Sequence, residues 1–295
     1  MDKTKFRYNT LTKLLKEINI ISVTANGTDF RVKAKTFYTN EKGSIFRQCK
    51  HILDGVHDGT MFEYETDGLI FTPIDKSVGS DLLGEWLPPS KRTWKWAMKW
   101  KPPEYNTIDF LVTTKKNKAG KDMVGNIFQN GNDLSDVKQI TQYKTLELRV
   151  GYSERDHGYI NPCQDIIDDN LTEFSSNRDD SRRYKPVKFQ PIDPTPNYDA
   201  YTCNITLQKD YESSQMTTED KLETFTDETI VEFRFDPERP IHWQWIPIRV
   251  RHDKTSDYKK GLPNFGNAYH VAQSVWRSIH NPITKEMLST GEDIP

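Results

Sequence analysis

The sequence predicts an α+β fold: a few early strands, then a small β-barrel with a long insertion, then a C-terminal helix. Three observations predict it. Helical periodicity is confined to the two ends of the chain. Between them, short apolar runs recur, separated by turn-rich segments. One stretch, residues 153–200, is dense in Asp, Asn, Arg, Ser and Pro and reads as a partly mobile surface insertion.

The elements follow in order. Asn9 or Thr10 is placed to cap a first helix with Leu11, Leu14, Leu15 and Ile18 on one face. Phe30, Val32, Ala34 and Thr36 alternate with Arg31, Lys33 and Lys35, the period of a half-buried strand. Leu69-Ile70-Phe71 is an apolar strand closed by Pro73, and Pro88-Pro89 and Pro102-Pro103 bound a strand over residues 93–100. The barrel strands are expected over residues 108–113, 145–152, 201–207, 230–235 and 245–250. Asn267 starts a last helix through Val271, Val275, Trp276 and Ile279, stopped by Asn281-Pro282.

Composition limits the function. With 35% hydrophobic residues but 12% aromatic, the 295-residue chain can still bury a core. A net charge of −2 exerts no overall pull on nucleic acid or membrane, so any anion-binding surface has to be local. No apolar run approaches the roughly 20 residues needed to cross a bilayer. Cys49, Cys163 and Cys203 lie too far apart for a disulfide framework or a zinc ribbon, so an intracellular, reducing setting is expected.

Positive charge is concentrated in one place. Residues 91–122 hold nine basic side chains (Lys91, Arg92, Lys95, Lys99, Lys101, Lys115, Lys116, Lys118, Lys121) against Glu104, Asp109 and Asp122. On a strand, Lys95, Lys99 and Lys101 share one face and Trp96, Met98 and Trp100 the other. Adjacent ammonium groups repel unless an anion such as phosphate lies between them. Alternating Lys and Trp is also ordinary amphipathic sheet. Lys115 to Lys121 reads as a hairpin tip around Ala119-Gly120, which solubility alone would also explain. Asp67-Gly68 is a turn or, beside lysines, a carboxylate able to hold a divalent metal. Arg249, Arg251 and Asp253 share a face if their strand runs through, with Lys254 at its end. That set suits phosphate oxygens or a surface ion-pair ladder.

In order, Asp67-Gly68-Leu69-Ile70-Phe71-Thr72-Pro73, Lys99-Trp100-Lys101-Pro102 with Asn106-Thr107-Ile108-Asp109-Phe110, and Arg251-His252-Asp253-Lys254 resemble three motifs of the covalent nucleotidyltransferases. The wording is similar to the mRNA capping guanylyltransferases of large DNA viruses. The strand at Phe30 and the tail Ser278-Ile279-His280-Asn281-Pro282-Ile283-Thr284 resemble the same domain. The resemblance implies the C-terminal part of a nucleotidyltransferase domain (1–104), an OB-fold barrel (105–255, insertion 153–200) and a C-terminal helical segment (256–295). It implies GTP as substrate with Mg2+ or Mn2+, and transfer of GMP through a lysyl intermediate to the 5′ end of nascent RNA. Lys99 and Lys101 would contact the α-phosphate and Asp67 would serve the metal. Arg251, Asp253 and Lys254, with Arg249 beside them, would reach the β- and γ-phosphates. Phe30 is one aromatic able to stack on guanine, with Phe37 and Tyr38 as competitors. A cap methyltransferase is an implied partner, a membrane is not, and a viral setting puts the protein in host cytoplasm or virion.

The sequence departs from that family at its nucleophile, the lysine of Lys-x-Asp-Gly. The Asp-Gly pairs begin at Asp54, Asp58 and Asp67, preceded two residues earlier by Ile52, Val56 and Glu65. The expectation is therefore a piece supplying phosphate-binding and lid motifs, inactive unless an upstream segment or chain supplies the lysine. The alternatives are an ATP-dependent polynucleotide ligase relative and a non-catalytic OB-fold RNA-binding module.

Overall fold

The computed structural model describes residues 7–18, 21–23, 29–40, 43–76, 96–128, 140–153, 167, 184–209, 214–262 and 266–291. The chain divides into two units, Met1–Tyr64 with Glu286–Pro295, and Glu65–Lys285.

In the first unit, α1 (Arg7–Ile18) starts ahead of the expected cap at Asn9 or Thr10. β1 (Ile21–Val23) and β2 (Asp29–Arg31) form a short antiparallel ribbon with Ser22 opposite Phe30. The strand expected as far as Thr36 stops at Arg31, because its three-residue partner offers no further ladder. The helix α2 (Ile45–His57) was not expected. Ser44 caps it, its hydroxyl accepting from Arg47 N at 3.2 Å. Ile45, Cys49, Ile52, Leu53 and Val56 repeat at helical spacing, but Asp54-Gly55 within the helix carries a turn signal that masks them.

The second unit opens with β3 (Leu69–Phe71) and β4 (Met98–Trp100), an antiparallel pair registering Leu69 with Trp100 and Ile70 with Lys99. A nine-stranded sheet follows. Its strands are β5 (Thr107–Thr114), β6 (Val124–Phe128), β7 (Ile140–Tyr152), β8 (Lys185–Lys188), β9 (Thr202–Lys209), β10 (Ser214–Thr217), β11 (Thr224–Phe225), β12 (Thr229–Phe235) and β13 (Trp245–Val250). The order is β11-β10-β9-β7-β5-β12-β13, with β6 and β8 also paired to β7, all antiparallel. The sheet curls nearly closed: Glu219 N donates to Pro247 O at 2.8 Å, and Val250 N donates to the Glu223 carboxylate at 2.9 Å. All five expected barrel strands are present.

Alternation fills the barrel. Ile108, Phe110 and Val112 of β5 meet Leu146, Leu148 and Val150 of β7, Val231 and Phe233 of β12, and Trp245 of β13. Beyond β13 lie α3 (His252–Lys259) and α4 (Tyr269–His280), the latter placing Ala272 and Trp276 in the same core. Asn267 does not cap α4, since its side chain accepts from Asp109 N at 2.6 Å. Last, α5 (Lys285–Thr290) leads to Gly291.

The expected surface insertion needs correcting in its second half. Residues 154–166 and 168–183 lie outside the described residues, but 184–200 belong to the barrel wall. β8 pairs with β7, and Phe189 and Ala200 are fully buried. The physical reason is the two buried indoles. Trp245 Nε1 donates to Ala200 O at 2.8 Å and Trp276 Nε1 to Pro194 O at 2.9 Å, so this segment supplies acceptors the core cannot do without.

β5 and β6 lie in line along one edge of β7. Thr114 registers with Leu146 and Val124 with Lys144, and Lys115 N still donates to Thr145 O at 2.8 Å, so residues 116–123 are extruded while the ladder advances two positions. They close on themselves through the Lys116–Asp122 bridge and Asn117 N to Lys121 O at 2.8 Å. At the tip, Asn117 Oδ1 accepts from Ala119 N and Lys121 N, and Gly120 takes φ +74°. The base is clamped. Asp122 binds Lys144 at 2.8 Å, Lys116 at 3.2 Å and the Thr114 hydroxyl at 2.8 Å, while Asp227 binds Lys116 at 2.8 Å.

Two predictions follow from the packing and the clamp. Phe189→Ala should cost roughly 3–5 kcal/mol, read from urea unfolding at unchanged m; a loss below about 1 kcal/mol would place Phe189 outside the core. The bond from Lys144, seconded by the Thr114 hydroxyl, holds the Asp122 carboxyl down at about 2. A depressed acid stabilises the fold fully above its unfolded value of 3.8 and loses that contribution as pH falls to about 2. Thermal stability should therefore drop across that window in the parent more steeply than in Asp122→Asn; parallel profiles would refute the clamp.

Candidate functional site

The β3/β4 ribbon carries the first group. Gly68 has φ +145°, and a Cβ there would lie 2.0 Å from Trp100 O, so only glycine permits this approach. The approach sets Asp67 beside Lys101, Oδ2 to Nζ 2.7 Å. That bond, with the charge of Lys99 adding to it, lowers the Asp67 pKa. Both partners are open to solvent, with 74% of the Asp67 and 42% of the Lys101 side chain exposed. Lys91, Arg92 and Lys95 lie outside the described residues. The expected aromatic face is only partly packed: Trp100 is buried and donates to Ile283 O at 2.6 Å, but Met98 is 64% and Trp96 38% exposed. A strand with one three-residue partner has too little sheet behind it to cover all three.

The second group forms where β13 gives way to α3. The strand does not run through. Arg251 is the N-cap of α3. Thr255 fixes the junction, donating to Arg251 O at 2.8 Å and accepting from Ile230 N at 2.9 Å. Arg249 is thereby separated from Arg251: it faces Glu232 across the ladder at 2.5 Å and stays 61% exposed. Arg251 and Lys254 instead converge on one carboxylate. Asp109 Oδ2 accepts from Arg251 Nη1 at 2.8 Å and from Lys254 Nζ. Asp253 is 69% exposed and holds Arg251 loosely at 3.4 Å, a contact that lowers the Asp253 pKa. Glu232, 4.0 Å from Arg251, links this group to Arg249.

The sequence motif that contains Asp109 implies no role for it. Its side chain is 7% exposed, and Oδ1 is buried with no hydrogen-bond partner among the described residues. Gly266, at φ +52°, brings the chain over it, and Asn267 N donates to Asp109 O at 3.2 Å. The signal was available: one acid inside Ile108-Asp109-Phe110-Leu111-Val112 has to find cations. Phe30 lies on β2, in the other unit, and its side chain is outside the described residues.

The arrangement can bind an anion through donors already held in place. A guanidinium has five N–H donors and an ammonium three, so both cations keep donors beyond those given to Asp109. For a metal, the described residues hold no group of three or more His, Cys, Asp or Glu. Asp67 offers one carboxylate, which fits Mg2+ only as an ion completed by substrate phosphates and water.

Residues 105–289, which include the barrel, Asp109 and the Arg251–Lys254 junction, match the family described as mRNA capping enzyme, C-terminal domain. The chain belongs to that family. It is also 29% identical over 269 residues to a protein of Acanthamoeba polyphaga mimivirus named "Probable mRNA-capping enzyme". That alignment covers 89% of this chain and 19% of the mimivirus protein, so the capping-family chain spans about a fifth of that relative. Among the described residues, no helix is long and apolar enough to cross a membrane.

Removing the anchoring carboxylate of this capping-family domain tests the junction. Asp109→Ala leaves Arg251 and Lys254 partly buried without their partner and should cost about 3–5 kcal/mol in urea unfolding. A neutral result would mean that the two cations do not depend on Asp109.

Proposed function

We propose that this chain supplies the triphosphate-gripping part of a GTP:RNA guanylyltransferase acting in mRNA 5′ capping. The observation that supports the reading is the convergence of Arg251 and Lys254 on Asp109, which presents two fixed cations at the end of a barrel strand. Capping-family membership supports assigning nucleotidyl-transfer chemistry to those cations. GMP passes from GTP to a 5′-diphosphate RNA end through a lysyl-GMP intermediate, and pyrophosphate must be held as it leaves.

In this reading Arg251 and Lys254 bind the β- and γ-phosphates, with Arg249 and Asp253 flanking them. Preset cations stabilise charge where it develops, at no reorganisation cost during the step. Lys99 and Lys101 hold the α-phosphate. Lys101 has to exchange part of its bond to Asp67 for the phosphate, and Asp67 would then be available to hold Mg2+ or Mn2+. The ion, when bound, neutralises phosphate charge. The nucleophilic lysine is supplied by a segment or chain outside this one, since none of the three Asp-Gly pairs carries it.

Binding measurements with GTP, GMP and ATP test the reading. Lys254→Ala and Arg251→Ala should each weaken GTP about tenfold or more, as the loss of a charged hydrogen bond implies, and leave GMP unchanged. A preference for ATP would favour a ligase relative. With labelled GTP and Mg2+ or Mn2+, this chain alone should form no GMP adduct; an adduct mapped to one of its lysines would overturn the external nucleophile.

A further inference from the structure

The hairpin over residues 115–123 is built unlike a solubilising loop. A loop that only adds charge needs no fixed base, yet this one has four side chains spent on holding it. Lys116 and Lys144 are matched by Asp122 and Asp227, two cations against two acids, so the base carries no net charge. Lys115, Lys118 and Lys121 are exposed, and none makes an ion pair among the described residues. Three uncompensated ammonium groups therefore stand on a short, self-closed hairpin whose tip is fixed by Asn117 and Gly120.

We propose that this finger is a contact for the phosphate backbone of single-stranded RNA. Lys118 and Lys121 ride on long stems beside Ala119 and Gly120, Lys115 stands at the foot, and among the described residues the tip offers no apolar side chain larger than the Ala119 methyl. The nearest large apolar residues, Met123 and Val124, lie at the foot. A surface of that kind suits a repeating anion gripped by charge alone and without regard to sequence. An acidic protein segment would instead be expected to use apolar anchors at the contact. The fixed base lowers the ordering cost of binding, which a mobile lysine loop would meet in full. The finger is separate from the Arg251–Lys254 junction, and the proposal holds whether or not that junction takes GTP.

The test uses the full chain, a fluorescent, unstructured RNA of mixed sequence, and anisotropy across a salt series. Replacing Lys115, Lys118 and Lys121 by Gln should weaken RNA binding at least tenfold at low salt. It should also flatten the slope of log K against log salt by about 2, given about 0.7 per phosphate on a single strand. GTP binding should not change. Unaltered RNA affinity and slope would overturn the proposal. So would a triple variant that loses polyglutamate binding but keeps RNA, which would assign the finger to an acidic protein. Asp122→Asn separates a built finger from diffuse charge, because it adds positive charge while loosening the clamp. The finger predicts weaker RNA binding in a folded variant, and tighter binding would refute it; should that variant unfold, the lysine variant decides.

Discussion

A carboxylate near the start of a strand buried on both faces must be matched by cations, and in this protein the matching organises the junction above the barrel. Asp109 follows Ile108 and precedes Phe110, so it enters β5 in an apolar run and faces away from the barrel interior. Taking that charge out of water is tolerable only because Arg251 and Lys254 reach it from 142 and 145 residues further along the chain. That requirement ends β13 at Val250, since a strand continuing through Arg251 and Asp253 could not bring both cations to one oxygen. Thr255, Asn267 and Gly266 then serve one geometry: each bonds or crowds a backbone group of β5, β12 or the junction itself.

Pairing changes the apparent electrostatics of the chain. Counted along the sequence, residues 91–122 are strongly basic. In the fold, Lys101 is matched by Asp67 and Lys116 by Asp122 and Asp227, one of which comes from a distant strand connection. Among the described residues the positive surface is therefore narrower than the linear count suggests and ends in the tip of an extruded hairpin. Arg251 and Lys254 are likewise not free. Their worth to an anion lies in being held in place, because their net charge is already offset.

What could be read from the sequence follows from how local each signal is. The barrel strands are legible because alternation at Ile108-Phe110-Val112 or Leu146-Leu148-Val150 is a short-range pattern set by one buried face. The helix over Ile45–His57 is not, because Asp54-Gly55 has a turn meaning that only the helix ladder overrides. Phe189 sits among Pro, Asp and Asn, and its burial depends on two indoles, Trp245 and Trp276, whose need for acceptors has no local signature. Arg251 and Lys254 stand out in the sequence by chemistry and order, and the fold brings both to Asp109. Asp109 was visible only as an anomaly, and Arg249 was assigned to their group on a strand continuation that Thr255 prevents.

β5 connects the two features proposed to bind anions. Asp109 lies near its start, and Thr114, at its end, donates its amide to Asp227 and its hydroxyl to Asp122 at the foot of the finger. Five steps of extended chain separate them, on the order of 17 Å. Both faces of that strand are packed, against the barrel core on one side and Ile230, Tyr184 and Tyr258 on the other, so it can neither bend nor slide. An RNA strand held at the finger and a phosphate held at Arg251 and Lys254 would then be kept at one spacing by a single rigid element. For a reaction that joins a nucleotide to an RNA end, a fixed spacing lowers the entropy cost of bringing the two together.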